Sequence, residues 1–279
     1  MKQIREISKR ASGVPTSDGA GVRLFRVIGG PEVPELDPFL LLDEFLSDDP
    51  NDYIAGFPDH PHRGFETVTY MLAGNMRHRD NLGNSGLLEP GSVQWMTAGR
   101  GIVHSEMPEQ KDGLMWGFQL WVNLPAKNKM RSPRYQDISP SVIPSVTPAD
   151  GVTVRVLAGT FEDTAGPVTD VDADPLYLDV YLGAHSGLRL DVPQTHNAFI
   201  YVYSGQILCG ARRDTLGHRQ LGVLSSGSEI HLESEALAAR AIVVCGKPFG
   251  EPIARYGPFV MNTRAELEQA FIDYRDGNL

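Results

Sequence analysis

The sequence predicts an all-β protein of two antiparallel β-barrels with a short C-terminal helix. Three observations carry this. The chain's 29 glycines and 20 prolines are scattered rather than clustered, which suits many short strands joined by turns. Alternating apolar runs recur along most of its length. The second half also repeats the strand pattern of the first. At 279 residues there is room for two cores.

Residues 1–35 read as two short strands around a Gly-rich turn, the run Val22–Ile28 being stopped by Gly29-Gly30-Pro31. The apolar segment from Pro38 to Phe45 suits a buried strand. Its acids, Asp43 and Glu44, are expected in the surroundings of a site, with at least one of them a turn acid facing water. Residues 46–65 are loop-like and lead into His60-Pro61-His62. The run Glu66–Leu72, the turn Ala73-Gly74-Asn75 and a second turn around Pro90-Gly91 read as hairpins. Val93–Val103 is a strand followed by a Gly-x-Gly turn, then His104-Ser105-Glu106. Met115–Leu124 has large residues on both faces, with Trp116, Phe118 and Leu120 on one and Gln119 and Trp121 on the other.

From Pro125 to Ser145 the chain turns polar and Pro-rich, which places a domain boundary near residue 135. Residues 1–135 form the first expected domain and 136–279 the second, C-terminal helix included. Aligning Gly205 with Gly74 sets Tyr201 against Tyr70, and Asp191 and Pro193 against His60 and His62; aligning Ser226-Gly227-Ser228 with Pro90-Gly91-Ser92 sets Arg240 and Ile242 against His104 and Glu106. The second barrel is therefore expected to be metal-free. Thr263-Arg264-Ala265-Glu266 has capping-box spacing, and Ala265, Leu267, Ala270, Phe271 and Tyr274 give a helical apolar stripe suited to packing.

Chemistry concentrates in residues 60–106. His60/His62 and His104/Glu106 are two pairs of ligand-type residues at i and i+2, and alternate strand residues share a face. Two such pairs on strands of one barrel converge on one interior point. Three neutral imidazoles and a carboxylate suit a first-row divalent metal: iron, manganese, nickel, zinc or copper. A closed structural zinc site is usually cysteine-rich, and no cysteine is near. Glu66 is a rival fourth ligand because its parity matches the histidines, but it lies ~13 Å along a regular strand from His62.

A formal net charge of −10 excludes a general nucleic-acid binder. The basic clusters Lys127/Lys129/Arg131 and Arg77-His78-Arg79 read as solvated loop charge. Cys209 and Cys245 lack metal or redox spacing and read as buried, inert thiols in a reduced compartment. No signal peptide or membrane-spanning run is visible, so a cytoplasmic protein is expected, with no membrane association.

The blocks Phe57–Val68, Gln94–Pro108 and Gln119–Pro125, with Gly257–Thr263 near the end, resemble the pirin family. The resemblance implies a bicupin, two face-to-face β-barrels with iron(II) in the N-terminal one. Its ligands fall on His60, His62, His104 and Glu106, which decides against Glu66. It implies an O₂-dependent quercetin (flavonol) 2,3-dioxygenase with Glu106 as catalytic base and Gln119 and Trp121 as substrate-pocket residues. The substrate is then a flavonol or similar enol or catechol. The alternative it implies is a redox-sensitive iron-binding co-regulator whose partner is a transcription factor or a metabolic enzyme.

Overall fold

A computed structural model describes residues 2–279. The chain divides into two compact units, one of residues 14–140 and 249–279, the other of residues 1–13 and 141–248. Each is built from one seven-stranded, one four-stranded and one two-stranded antiparallel sheet. Two consecutive halves are thus not what the contacts define. The strand Arg134–Ile138 pairs along its whole length with Val93–Thr97, which carries the first unit on to Pro140. The termini are exchanged as well. Ile7–Ser12 pairs with Gln220–Leu224 in the second unit, whereas the C-terminal helix belongs to the first.

In the first unit the seven-stranded sheet runs Arg134–Ile138, Val93–Thr97, Phe65–Ala73, Met115–Asn123, Phe39–Ser47, Val22–Ile28, Val14–Asp18. The facing sheet runs Phe57–His62, Ile102–Pro108, Met76–Asp80, Ser85–Leu88. Gly74 therefore turns the chain from one sheet into the other instead of closing a hairpin. Leu24, Phe45, Met71, Met76, Leu88 and Met115 form an apolar cluster in this unit.

The C-terminal helix, Arg264–Arg275, starts on the expected capping box. Thr263 Oγ1 accepts from the Glu266 N–H, and the Glu266 carboxylate accepts from the Thr263 N–H at 2.8 Å. Leu267 and Ala270 are buried with Phe259 and Met261, and the Phe271 ring meets Phe259 edge-on. Ala265 faces solvent and is not part of the stripe. Thr263→Ala is expected to cost about 1 kcal/mol of stability, read as a lower urea midpoint at an unchanged slope.

In the second unit the strand Glu229–Glu233 pairs with Gly187–Asp191, as Ile102–Pro108 pairs with Phe57–His62 in the first. Ala239–Gly246 instead occupies the place of Met115–Asn123, so the alignment of His104 and Glu106 with Arg240 and Ile242 is corrected by the topology. The buried residues of the paired strands are Leu188, Leu190, Ile230 and Leu232, an aliphatic interior. Pro193 gives its carbonyl to Arg5, whose buried guanidinium also donates to the carbonyls of Gly227 and His196. Cys209 and Cys245 are buried free thiols, each pushed up to about 12 first by burial.

Candidate metal centre

His60 and His62 close the strand Phe57–His62, and His104 lies opposite His60 on Ile102–Pro108. One potential ligand nitrogen from each of the three lies within 4.8 Å of the others. His62 and His104 are buried at 3% and 1% exposure. Burial first, and then the neighbouring imidazoles, hold both well below the ordinary histidine range, so both are neutral and ligand-competent.

The hydrogen bonds orient the rings. His60 Nδ1 is 2.8 Å from the Pro58 carbonyl and His62 Nδ1 3.4 Å from that of Pro258. A carbonyl only accepts, so each Nδ1 carries the proton and each Nε2 presents a lone pair. Those two Nε2 atoms stand 3.1 Å apart, and neither nitrogen of buried His104 has a partner among the described residues. Converging lone pairs in a dry interior repel unless a cation lies between them. Imidazoles held from behind by carbonyls are also the usual support of metal-ligating histidines. The donor set therefore fits a divalent first-row metal.

Glu106, fully buried, is adjacent but outside this three-imidazole cluster. Its Oε1 accepts from Thr69 Oγ1 at 3.1 Å and its Oε2 from Gln119 Nε2 at 2.9 Å. Gln119 Oε1 in turn accepts from Trp121 Nε1 at 3.3 Å. His60, His62, Gln119 and Trp121 all line one cavity of about 630 Å³. Arg255 reaches it from the C-terminal segment, its guanidinium 4.7 Å from the Trp121 ring centre and its Nη1 donating to the Leu40 carbonyl.

Glu66 points elsewhere. The chain turns between His62 and Phe65 at Gly64, whose φ is +87°, and the two flanking strands belong to different sheets. Parity does not carry through that corner. Glu66 lies on the face opposite to Thr69 and accepts from Thr97 Oγ1 at 2.6 Å.

The C-terminal segment is what sequence reading missed. Besides Pro258 on His62, the Val260 N–H donates to the Arg63 carbonyl at 3.0 Å. Asp273 of the helix takes Arg63 Nη1 at 2.6 Å. Lys129, expected in solvent, is 1% exposed and donates to Gly64 O, Asn123 Oδ1 and Val260 O. His78, from the other supposed surface cluster, is likewise buried, with Nε2 3.0 Å from Asp137 Oδ2. Asp43 and Glu44 are both buried. Arg26 binds both oxygens of Asp43, and Trp116 Nε1 donates to Glu44. Burial, opposed by Arg26, leaves the Asp43 carboxyl raised to about 6.

The pirin family model matches residues 21–122 and that of the pirin C-terminal cupin domain residues 177–279. A Pseudomonas aeruginosa protein named as a candidate quercetin 2,3-dioxygenase is 54% identical over 100% of this chain and 99% of its own length. Pirin of Rattus norvegicus is 43% identical over 99% of this chain and 94% of its own. A crystal structure of quercetin 2,3-dioxygenase from Acinetobacter baumannii superposes with a TM-score of 0.91 at 33% identity, covering 98% of each chain. The two cupin units and the cluster of three histidines are those of a pirin-like bicupin, and the chain belongs to the pirin family.

Proposed function

We propose that the protein is an iron(II)-dependent quercetin-type flavonol 2,3-dioxygenase, with His60, His62, His104 and Glu106 as metal ligands. The observation that carries this reading is the convergence of three imidazoles beside a buried carboxylate, with His60 and His62 lining a cavity of about 630 Å³. Manganese, nickel, zinc and copper fit the same donors. The metal would be held by His60, His62, His104 and Glu106 and would supply the Lewis-acid and redox chemistry for O₂-dependent cleavage of a flavonol ring.

The protein's own groups prepare that encounter. Glu106 is the base that takes the 3-hydroxyl proton, held in place by Thr69 and Gln119. Trp121, fixed by its bond to Gln119 and by Arg255 over its ring, offers a flat apolar wall to an aromatic ligand. The P. aeruginosa and A. baumannii relatives support the same substrate class.

The test is aerobic incubation of iron-loaded protein with quercetin, following loss of flavonol absorbance and release of carbon monoxide. Turnover is expected, falling at least about a hundredfold in His62→Ala and Glu106→Ala. Turnover that survives both substitutions sinks the enzyme reading. Absence of turnover, with partner binding that follows the iron oxidation state, favours the co-regulator instead.

A further inference from the structure

The cavity floor is patterned. Residues directly opposite one another on paired strands share a face of the sheet. The registers Arg26↔Asp43, Asp43↔Gln119 and Gln119↔Thr69 therefore set one row of polar side chains across three strand junctions. Thr69 and Gln119 end this row on Glu106. Rows of apolar residues run on either side: Leu24 opposite Phe45, and Leu41 opposite Trp121. All of these except Thr69 and Glu106 line the cavity. A planar aromatic ligand with hydroxyls along one edge matches a polar stripe between two apolar ones.

The far end of the stripe specifies the hydroxyls. Arg26 gives Nε to Asp43 Oδ1 at 3.0 Å, and its Nη2 is shared between Asp43 Oδ2 at 2.8 Å and Asp18 Oδ2 at 2.9 Å. Its Nη1 has no partner among the described residues, leaving two N–H donors. The Asp18 and Asp43 oxygens have lone pairs to spare. With Arg255 and Asp59 also on the lining, two cations stand against three carboxylates, so the cavity carries no excess of positive charge. A ligand carboxylate would meet Asp18 and Asp43, and an ammonium would meet Arg26. A phenol satisfies both sides, accepting from Arg26 and donating to a carboxylate.

We infer that Arg26, Asp43 and Asp18 form a recognition subsite for the hydroxylated ring of a polyphenol, remote from the metal-binding end. This selects uncharged polyhydroxylated aromatics over bare-phenyl or carboxylated ones. The inference rests on the flavonol reading of the same cavity, and it concerns binding rather than chemistry.

The experiment is calorimetric titration of iron-loaded protein, with oxygen excluded, against three flavonols. Quercetin, kaempferol and galangin carry two, one and no hydroxyls on the remote phenyl ring. Quercetin is expected to bind at least about tenfold more tightly than galangin, with kaempferol between, since one hydrogen bond to a charged group is worth that factor. In Asp43→Asn the preference should shrink to about threefold or less. Asp18→Asn, at the exposed rim, should shrink it without disturbing the buried pair, and unchanged metal content and melting check that each variant is intact. Equal binding of the three by the unaltered protein, or a preference that survives both substitutions, overturns the inference. Ranked binding without turnover removes the dioxygenase reading and leaves the subsite. Turnover with unranked binding removes the subsite and leaves the dioxygenase.

Discussion

Replacing Gly64 by alanine is expected to destabilise the protein by about 3 kcal/mol or more and to remove most of the metal affinity proposed for the three-histidine cluster. Gly64 has φ +87°, and a Cβ there would lie 2.0 Å from the Val260 carbonyl oxygen. Backbone cannot swing aside as a side-chain tip can, so the C-terminal segment must lift off the corner that follows His62. That removes the Val260–Arg63 hydrogen bond and shifts Pro258 away from His62. Gly113→Ala is the control. Its φ is +88°, but a Cβ there meets nothing within 4 Å, so only the conformational cost of about 1 kcal/mol applies. Urea unfolding and metal stoichiometry on the two variants separate collision from strain. Equal midpoints would refute the collision with Val260 as the cause.

The second large effect is expected at Lys129. Lys129→Met leaves Gly64 O, Asn123 Oδ1 and Val260 O without their buried donor, a loss of about 2 kcal/mol or more at pH 7. Burial pushes the Lys129 ammonium down to about 8 from its usual 10.5. Between those values the unfolded chain binds more protons than the folded one, so this residue's contribution to stability rises with pH. Below pH 8 the desolvation cost is present in full. The gap between Lys129→Met and the unaltered protein should therefore widen between pH 7 and pH 9.5. A variant as stable as the parent at pH 7, or a gap that narrows on raising the pH, defeats this assignment.

Strand periodicity made the convergence of the three histidines legible. His60, His62 and His104 sit on regular strand backbone, where i and i+2 must share a face, and short-range geometry was enough. Gln119 and Trp121 were legible for the same reason, their parity setting them against Phe118 and Leu120. Glu66 was misplaced because the parity argument assumes an uninterrupted strand, and Gly64 breaks it. Lys129 and His78 were misread because charge and loop composition describe an average environment, whereas their burial depends on partners distant in sequence. Lys129 meets Val260, and His78 meets Asp137. The exchange of termini has the same origin. No local pattern tells an edge strand or a terminal helix which sheet it will join.

The separation of His62 and Pro258 by 196 positions has a consequence for biosynthesis. While the polypeptide is being made, all three imidazoles leave the ribosome long before the carbonyl that orients one of them. A nascent chain halted short of residue 258 would carry the ligands without their finished cradle. The metal proposed for this cluster would thus be held stably only by a nearly full-length product.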